Sequence, residues 1–337
     1  MVKKFLLVCL LVLVILSNSF SQVYQKFYTY ESMPIIIKFT TNVDESFYNQ
    51  IYSIVTNEIF NYSYRKGSYI YEITKSCYKK YVSINDDLDY MLGRLIYYNV
   101  LSKNAISPTV GYIIDLWGFE SKNFYVPSLS EISNALRISS IRNLVVSGKK
   151  IALKNKETKF YLKPYAISLA MEKIKRLLLK NKVTNAFISV ANYSLTVGEK
   201  EKEPWMVGIP NPLRLGEFYV NLEVKDSFVY TVDITENQFN DNFRTYHSII
   251  DPRTGYPANN GVISVSVVGK DSLELVILAR IIFVLGKDAG LKFAQKHSIP
   301  ALILYSTGDK ITEYKTIDWI KMFSKDTSEK IKIKNQK

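Results

Sequence analysis

Apolar residues recur at helical spacing in several segments of the chain, a pattern that buries one face of each helix against a core. The longer predicted helices are Val43–Asn61, Asp86–Ser102, Tyr165–Lys180, Leu273–Leu285 and Ala289–His297. Asn85 is the expected N-cap of the second of these. A shorter helix is capped by Ser128 or Ser130 and runs through Leu136.

Between these helices, short β-rich segments predict strands, and one of them, Ile263–Val268, alternates cleanly. The other predicted strands are Pro34–Thr41, Ala186–Val190, Trp205–Ile209, Phe218–Val224, Phe228–Val232 and Ala301–Tyr305. A hairpin around Gly148 joins Asn143–Ser147 to Lys150–Leu153. Strands and helices interleave without a repeat or a linker, which predicts one α/β or α+β domain over residues 22–323.

The two ends of the chain differ from this pattern. Lys3 and Lys4 precede an apolar run that ends at Leu16, and small residues follow at Ser19 and Ser21. The run is shorter than the roughly 20 residues of a membrane span, which favours a signal peptide over residues 1–21. We therefore expect an exported protein, either periplasmic or membrane-associated through an uncleaved leader. No later run approaches spanning length, and residues 324–337 are predicted to be a basic, disordered tail.

The composition argues against an internal disulfide and against a nucleic-acid partner. Cys77 is the only cysteine after the leader, so no internal disulfide can form. The formal net charge of +13 is compatible with nucleic acid or anionic lipid as a partner. The lysines are nevertheless scattered and no recognition motif accompanies them, so we expect no nucleic-acid partner.

The densest polar motif is YHSIIDPRTGYP, residues 246–257. We predict a short strand that carries His247 and the two isoleucines, followed by a turn that starts at Asp251. With Arg253, the segment presents an imidazole, a carboxylate and a guanidinium, a set that can orient a phosphate and move a proton. The alternative is that Asp251 and Arg253 serve only turn formation and surface pairing.

This segment resembles the H-x-I-I-D-P-R-T-G-x-P signature of the ApbE family, the periplasmic FAD:protein FMN transferases. Further stretches resemble other motifs of the family in the expected order, from about Met33 to about Tyr305. These stretches are SPTVGYIIDLWGF (residues 107–119), PWMVGIPNP (residues 204–212), GVISVSVVG (residues 261–269) and FVLG (residues 283–286). The resemblance implies an α+β, ApbE-like and T-fold-related body of mixed β-sheets packed with helices.

The resemblance also implies an activity, the magnesium-dependent transfer of FMN from FAD to a threonine of a client protein. FAD or another nucleotide and a periplasmic client protein are then the expected partners. The residues that the resemblance places in catalysis are His247, Asp251 and Arg253. Those that it places at the flavin nucleotide are Met33, Ala105, Ile106, Ser107, Thr109, Tyr161, Lys163, Ile249 and Arg280.

The family's metal ligands are replaced in this chain. Counting back from Phe283 puts Val276 and Arg280 where the family has the aspartate and threonine that hold magnesium. Valine cannot ligate a metal, and arginine repels a dication. The glycine pair of the family's flavin loop is replaced by Lys163 and Pro164. We therefore expect no metal ligands and degenerate metal and flavin sites.

Three interpretations of function remain open at this point: a transferase with an altered site, a non-catalytic exported module that binds flavin, nucleotide or protein, and a scaffold without a ligand. Arg280 has two interpretations as well. Its guanidinium can pair with a phosphate directly, with Lys163 assisting, and preserve nucleotide binding without magnesium. Alternatively, it is a surface arginine on a helix whose sequence has drifted.

Overall fold

An antiparallel sheet of eight strands forms the centre of the protein in the computed structural model, which describes residues 22–200, 202–308 and 310–323. The strands of the protein are β1 (Tyr24–Tyr30), β2 (Met33–Phe39), β3 (Val82–Ser83), β4 (Leu144–Val146), β5 (Lys150–Leu153), β6 (Ala186–Val190), β7 (Tyr193–Val197), β8 (Trp205–Pro210), β9 (Phe218–Val224), β10 (Phe228–Asp233), β11 (Phe239–Asp241), β12 (Arg244–Tyr246), β13 (Val262–Gly269), β14 (Ala301–Thr307) and β15 (Lys310–Lys315). The central sheet has the order β1-β2-β6-β7-β10-β13-β14-β15.

The helices are α1 (Glu45–Tyr62), α2 (Tyr69–Ser76), α3 (Asp86–Leu101), α4 (Gly111–Leu116), α5 (Leu129–Ile138), α6 (Lys163–Lys180), α7 (Ser272–Lys296) and α8 (Ile317–Phe323). Their caps follow the sequence. Asn85 accepts a hydrogen bond from the Leu88 N–H at the start of α3. Ser128 forms a capping box with Glu131 at the start of α5. None of the described helices is long and apolar enough to cross a membrane.

The central sheet is covered on both faces. Helices α1, α6 and α7 pack on one face against inward residues such as Ile35, Ile37 and Val265. The β8–β9 hairpin and α8 contribute Trp205 and Trp319 to the apolar cluster on the other face. Because both faces exclude water, the apolar residues of β13 are buried along the whole strand. The α+β class predicted from the sequence is confirmed.

A smaller apolar cluster lies under the signature motif. Trp117 and Phe119 follow α4 and pack there with Ile132 of α5 and with Ile250. The Trp117 indole N–H donates to the carbonyl of Gly255 at 2.9 Å. This cluster fixes the position of the loop that follows β12.

Two local expectations are corrected. The strand predicted at His247–Ile250 is wrong, because β12 ends at Tyr246 and only an isolated bridge joins Ile250 to Pro257. The backbone there is satisfied by local bonds, including Ile250 N–H to the Ser248 carbonyl at 3.0 Å, instead of by a strand ladder. The two C-terminal helices form one element, α7, interrupted at Gly286, where φ is 82°. The predicted signal peptide (residues 1–21) and basic tail (residues 324–337) lie outside the described residues.

Candidate functional site

A cavity of about 580 Å³ opens beside the β1–β2 turn, the start of α6 and the end of β10. Four of the residues expected at the flavin line it together, namely Met33, Tyr161, Lys163 and Arg280. They come from segments far apart in the chain, so the fold brings them together. The volume falls within the roughly 300–1,000 Å³ typical of small-molecule sites.

Tyrosines form one wall of this cavity. The rings of Tyr193 on β7 and Tyr230 on β10 lie with centroids 4.4 Å apart at an angle of 38°. Burial raises the pKa of Tyr230 to about 12, so its phenol is neutral at pH 7. The Tyr193 hydroxyl donates to the carbonyl of Pro164 at the start of α6. The wall is therefore aromatic, uncharged and fixed in place, as stacking with a planar ring requires.

Arg280 lies at the back of the cavity and is buried, with only 7% of its surface exposed. Its Nη2 donates to both carboxylate oxygens of Glu236, at 2.5 Å and 2.7 Å. Burial alone would lower the pKa of Arg280, but the Glu236 carboxylate and the surrounding tyrosines raise it well above its ordinary value. The guanidinium is thus charged at every relevant pH, and the surface-arginine interpretation is wrong.

The mouth of the cavity carries a second group of charges. Lys163 lies 3.0 Å from one oxygen of Glu31, and Arg65 lies 2.6 Å from the other. Burial alone would raise the pKa of Glu31, but the hydrogen bond and charge of Lys163, together with Arg65, lower it below its ordinary value. The Glu31 carboxylate therefore stays ionised between its two cations.

A second, much smaller cavity of about 30 Å³ lies behind the first. Four further residues expected at the flavin line it, namely Ala105, Ile106, Ser107 and Ile249. Tyr161 and Arg280 line both cavities and so form the partition between them. The residues predicted from the resemblance are thus divided between two spaces.

The remaining predicted flavin contact, Thr109, is fully buried. Its hydroxyl donates to the Ser139 carbonyl at 2.8 Å and lies 3.0 Å from the Ser107 hydroxyl. These bonds orient Ser107 at the small cavity, so Thr109 acts through its neighbour.

Asp251 and Arg253 of the signature motif are paired with each other. The Nε of Arg253 donates to one carboxylate oxygen at 2.8 Å, and its Nη2 donates to the other at 2.7 Å. The Asp251 carbonyl also accepts from the Gly255 N–H at 2.9 Å, which closes the turn. This geometry matches the turn-and-pairing interpretation of the two residues.

His247 is buried against the edge of the Phe283 ring, with ring centroids 5.5 Å apart. Its Nδ1 accepts from the Ile249 N–H at 3.3 Å. Burial lowers the pKa of His247 to about 4, although the nearby Glu236 carboxylate and the Ala258 backbone favour the protonated form. The imidazole is therefore neutral at pH 7. It lines a separate groove that runs from Arg244 to Ile263.

The residues present do not fit a magnesium ion, which requires near-octahedral oxygen ligands, usually with one or two carboxylates. Val276 is fully buried within an apolar stretch of α7. Glu236 is committed to Arg280, whose charge repels a dication. Asp233 accepts from the Thr235 N–H at 2.8 Å and from the Asn192 amide at 3.2 Å. Within the described ranges, no group of three or more His, Cys, Asp or Glu side chains is placed to hold a metal.

Sequence reasoning did not identify Glu236, Glu31, Tyr193 or Tyr230 as site residues. Glu236 meets Arg280 across 44 positions of sequence, and nothing in its local sequence indicates that pairing. The two tyrosines belong to a chain with 25, so residue type alone carried no signal for either of them. Tyr230 lies on a strand that the sequence predicted, whereas β7, which carries Tyr193, was not predicted.

Comparison with known proteins adds independent information. A family model described as the ApbE family matches residues 33–303. A FAD:protein FMN transferase of Vibrio cholerae is 26% identical over 267 residues, which cover 78% of this chain and 80% of that protein. Another from Klebsiella pneumoniae is 22% identical over 283 residues, covering 82% and 88%.

The fold is shared with solved structures. The flavin transferase ApbE from Vibrio cholerae superposes with a TM-score of 0.80 and 23% identity, over 90% of this chain and 99% of that one. The ApbE protein of Thermotoga maritima gives a TM-score of 0.80 with 22% identity, over 90% and 100%. The ApbE-like fold expected from the motifs is confirmed.

Proposed function

The chain belongs to the ApbE family, and from that premise we propose that it binds FAD in the tyrosine-walled cavity without transferring FMN through a magnesium ion. One observation carries this proposal: the buried Arg280 guanidinium, paired with the partly exposed Glu236, occupies the back of the cavity. A guanidinium there favours the phosphates of a nucleotide and disfavours a metal ion.

The cavity offers groups that suit the flavin ring and the phosphates of FAD. The tyrosine wall can stack on a flavin ring, and Tyr193 and Tyr230 are held rigidly enough to do so. Lys163 at the mouth and Arg280 at the back supply positive charge for an anionic group. Related proteins named FAD:protein FMN transferases support FAD as the flavin nucleotide.

The residues of this chain support the FMN-transfer step of the family activity less well than they support FAD binding. Attack on a diphosphate requires its negative charge to be offset, which the family achieves with magnesium. In this chain no metal step is assigned to the cavity, because Val276 and Arg280 provide no side-chain oxygen and the carboxylates that line the cavity are paired with cations. The Asp251 carboxylate is also occupied by Arg253.

The test is a titration of the purified protein with FAD, combined with an assay for covalent FMN on a threonine-containing acceptor protein. We expect FAD to bind, and at about 100 times Kd to raise the free energy of unfolding by about 2.7 kcal/mol. We expect no FMN on the acceptor with magnesium above the level with EDTA. Covalent FMN that appears with magnesium and disappears with EDTA would refute the proposed loss of metal-dependent transfer.

A second candidate function is FMN transfer itself, to a threonine of a client protein. Two observations favour it: the names of the relatives and the neutral imidazole of His247, which lies in the signature motif. A neutral imidazole can accept a proton from an attacking hydroxyl. The same acceptor assay decides between the two candidates.

We propose further that the protein acts outside the cytoplasm, in the periplasm or on the membrane through an uncleaved leader. The support is the basic and then apolar pattern of residues 3–16. Fractionation of cells that express the chain with and without residues 1–21 tests this. The proposal fails if both versions are found in the cytoplasm.

A further inference from the structure

Arg280 lines the cavity, and one of its donors, Nε, has no hydrogen-bond partner among the described residues. Its Nη2 donates to both carboxylate oxygens of Glu236, and the guanidinium also hydrogen-bonds the Tyr230 hydroxyl. The Nε atom is itself buried. An unpaired buried donor on a charged group is costly, so an acceptor that reaches it is bound favourably.

Arg280 is also located at the boundary between the two cavities. It lines the tyrosine-walled cavity and the small cavity behind it, next to Tyr161. A nucleotide bound in the larger cavity therefore lies beside this guanidinium.

Glu236 is the more exposed member of the ion pair. It lies in the turn after β10, and its side chain is 27% exposed against 8% for Arg280. Arg280 is held by the middle of α7 and is surrounded by buried side chains. An incoming anion can thus take over the guanidinium while the Glu236 carboxylate turns to solvent, so that the buried charge stays compensated.

We propose that Arg280 binds a phosphate of the nucleotide directly, in place of a divalent metal ion, and that the phosphate displaces Glu236. This inference rests on the proposed binding of FAD. It assigns to Glu236 the role of an internal competitor that occupies the anion site in the empty protein. Nucleotide binding is then independent of magnesium.

Substitutions of Arg280 and of Glu236 must change the affinity for FAD in opposite directions. With EDTA present, Arg280→Met weakens FAD binding at least about tenfold, because a charge-assisted bond is lost. Glu236→Gln tightens FAD binding several-fold, since the competing charge is gone, while lowering the melting temperature. Arg280→Lys keeps the positive charge without the planar geometry and gives an intermediate affinity.

The chain provides a matched control. Arg214 and Glu217 form an ion pair of the same residue types, but it is exposed and 3.6 Å apart. Arg214→Met and Glu217→Gln make the same changes in net charge and leave FAD affinity unchanged. Riboflavin, which has no phosphate, serves as the second ligand, and its affinity is the same in the wild type and all variants.

The possible results distinguish a failure of this inference from a failure of the proposed function. FAD binding that requires magnesium, that is unchanged in Arg280→Met, or that weakens in Glu236→Gln overturns the inference while leaving FAD binding itself intact. A wild-type protein that binds neither FAD nor riboflavin overturns the proposed function as well. Loss of riboflavin binding in Arg280→Met shows that the variant has damaged the cavity, and Arg280→Lys and Glu236→Gln then decide.

Discussion

At the scale of single residues, the signature motif buries His247 and Asp251 and leaves Arg253 exposed. Asp251 is bound at both oxygens by Arg253, and the Gly255 carbonyl is held by Trp117. Gly255 has φ of 77°, and a Cβ there would lie 3.0 Å from the Ile132 side chain. The motif thus builds a rigid turn, whether or not chemistry occurs beside it.

The burial of His247 predicts that the stability of the protein depends on pH. Its pKa is about 4 in the folded protein and near 6.5 in the unfolded chain, so only the unfolded state gains a proton as pH falls between these values. The contribution of His247 to the free energy of unfolding is therefore complete above about pH 6.5. It falls by about 3 kcal/mol as the pH decreases toward 4.

The measurement is urea unfolding of the wild type and His247→Gln between pH 4 and pH 8. The wild type should lose more stability on acidification than the variant, because glutamine does not titrate. Parallel curves for the two proteins would show that His247 is not kept neutral by burial.

At the scale of elements, the interruption of α7 depends on two residues. Gly286 adopts a φ of 82° that other residues rarely reach, and the Asn260 amide donates to the Phe283 carbonyl at 2.9 Å. The amide thereby satisfies a carbonyl left without its helical partner. The break redirects the second half of the helix toward β14.

We predict that Gly286→Ala lowers the free energy of unfolding by about 1–3 kcal/mol, because alanine is strained at this φ. Its Cβ would also lie 3.2 Å from the Asn260 side chain. Gly93 on α3 is the control, since a Cβ there meets nothing within 4 Å. Gly93→Ala should stabilise by about 0.5–1 kcal/mol, and denaturant melts compare the two. Equal effects at both positions would contradict the account of the break.

Element prediction from sequence succeeded where apolar residues had a strong period and a cap. The predicted α3 and the hairpin of β4 and β5 lie where the sequence placed them. By contrast, β1 and β15 were missed. Both are edge strands of the central sheet with largely exposed, polar faces, so they lack an apolar pattern of their own.

The alternation of apolar and polar residues along β13 was predicted correctly, but it does not mark an exposed face of the strand. Its serines are buried, and Ser266 shares a hydrogen bond with Thr231 on β10 at 2.8 Å. Polar residues at period two usually indicate a solvent-facing side. Here both faces of the strand are covered, which only the packing of distant elements determines.

At the scale of the whole molecule, ordered motifs along the chain predicted the family and the fold. Of the candidate site, the sequence provided the substituted metal positions and the replaced glycines. It could not provide the Glu236–Arg280 pair, because the partner comes from a turn that the sheet topology brings to α7. The proposed anion site depends on that pair, because Glu236 holds the guanidinium at the cavity in the empty protein.

On the proposed function, a guanidinium and no metal contacts the phosphate of a bound flavin nucleotide. A crystal structure of the complex grown with FAD and Mn²⁺, with anomalous data for manganese, tests it directly. We predict a phosphate oxygen at roughly 2.7–2.9 Å from an Arg280 nitrogen, Glu236 turned away, and no manganese at the phosphates. Manganese bound to the FAD diphosphate, with Arg280 still paired to Glu236, would contradict the account.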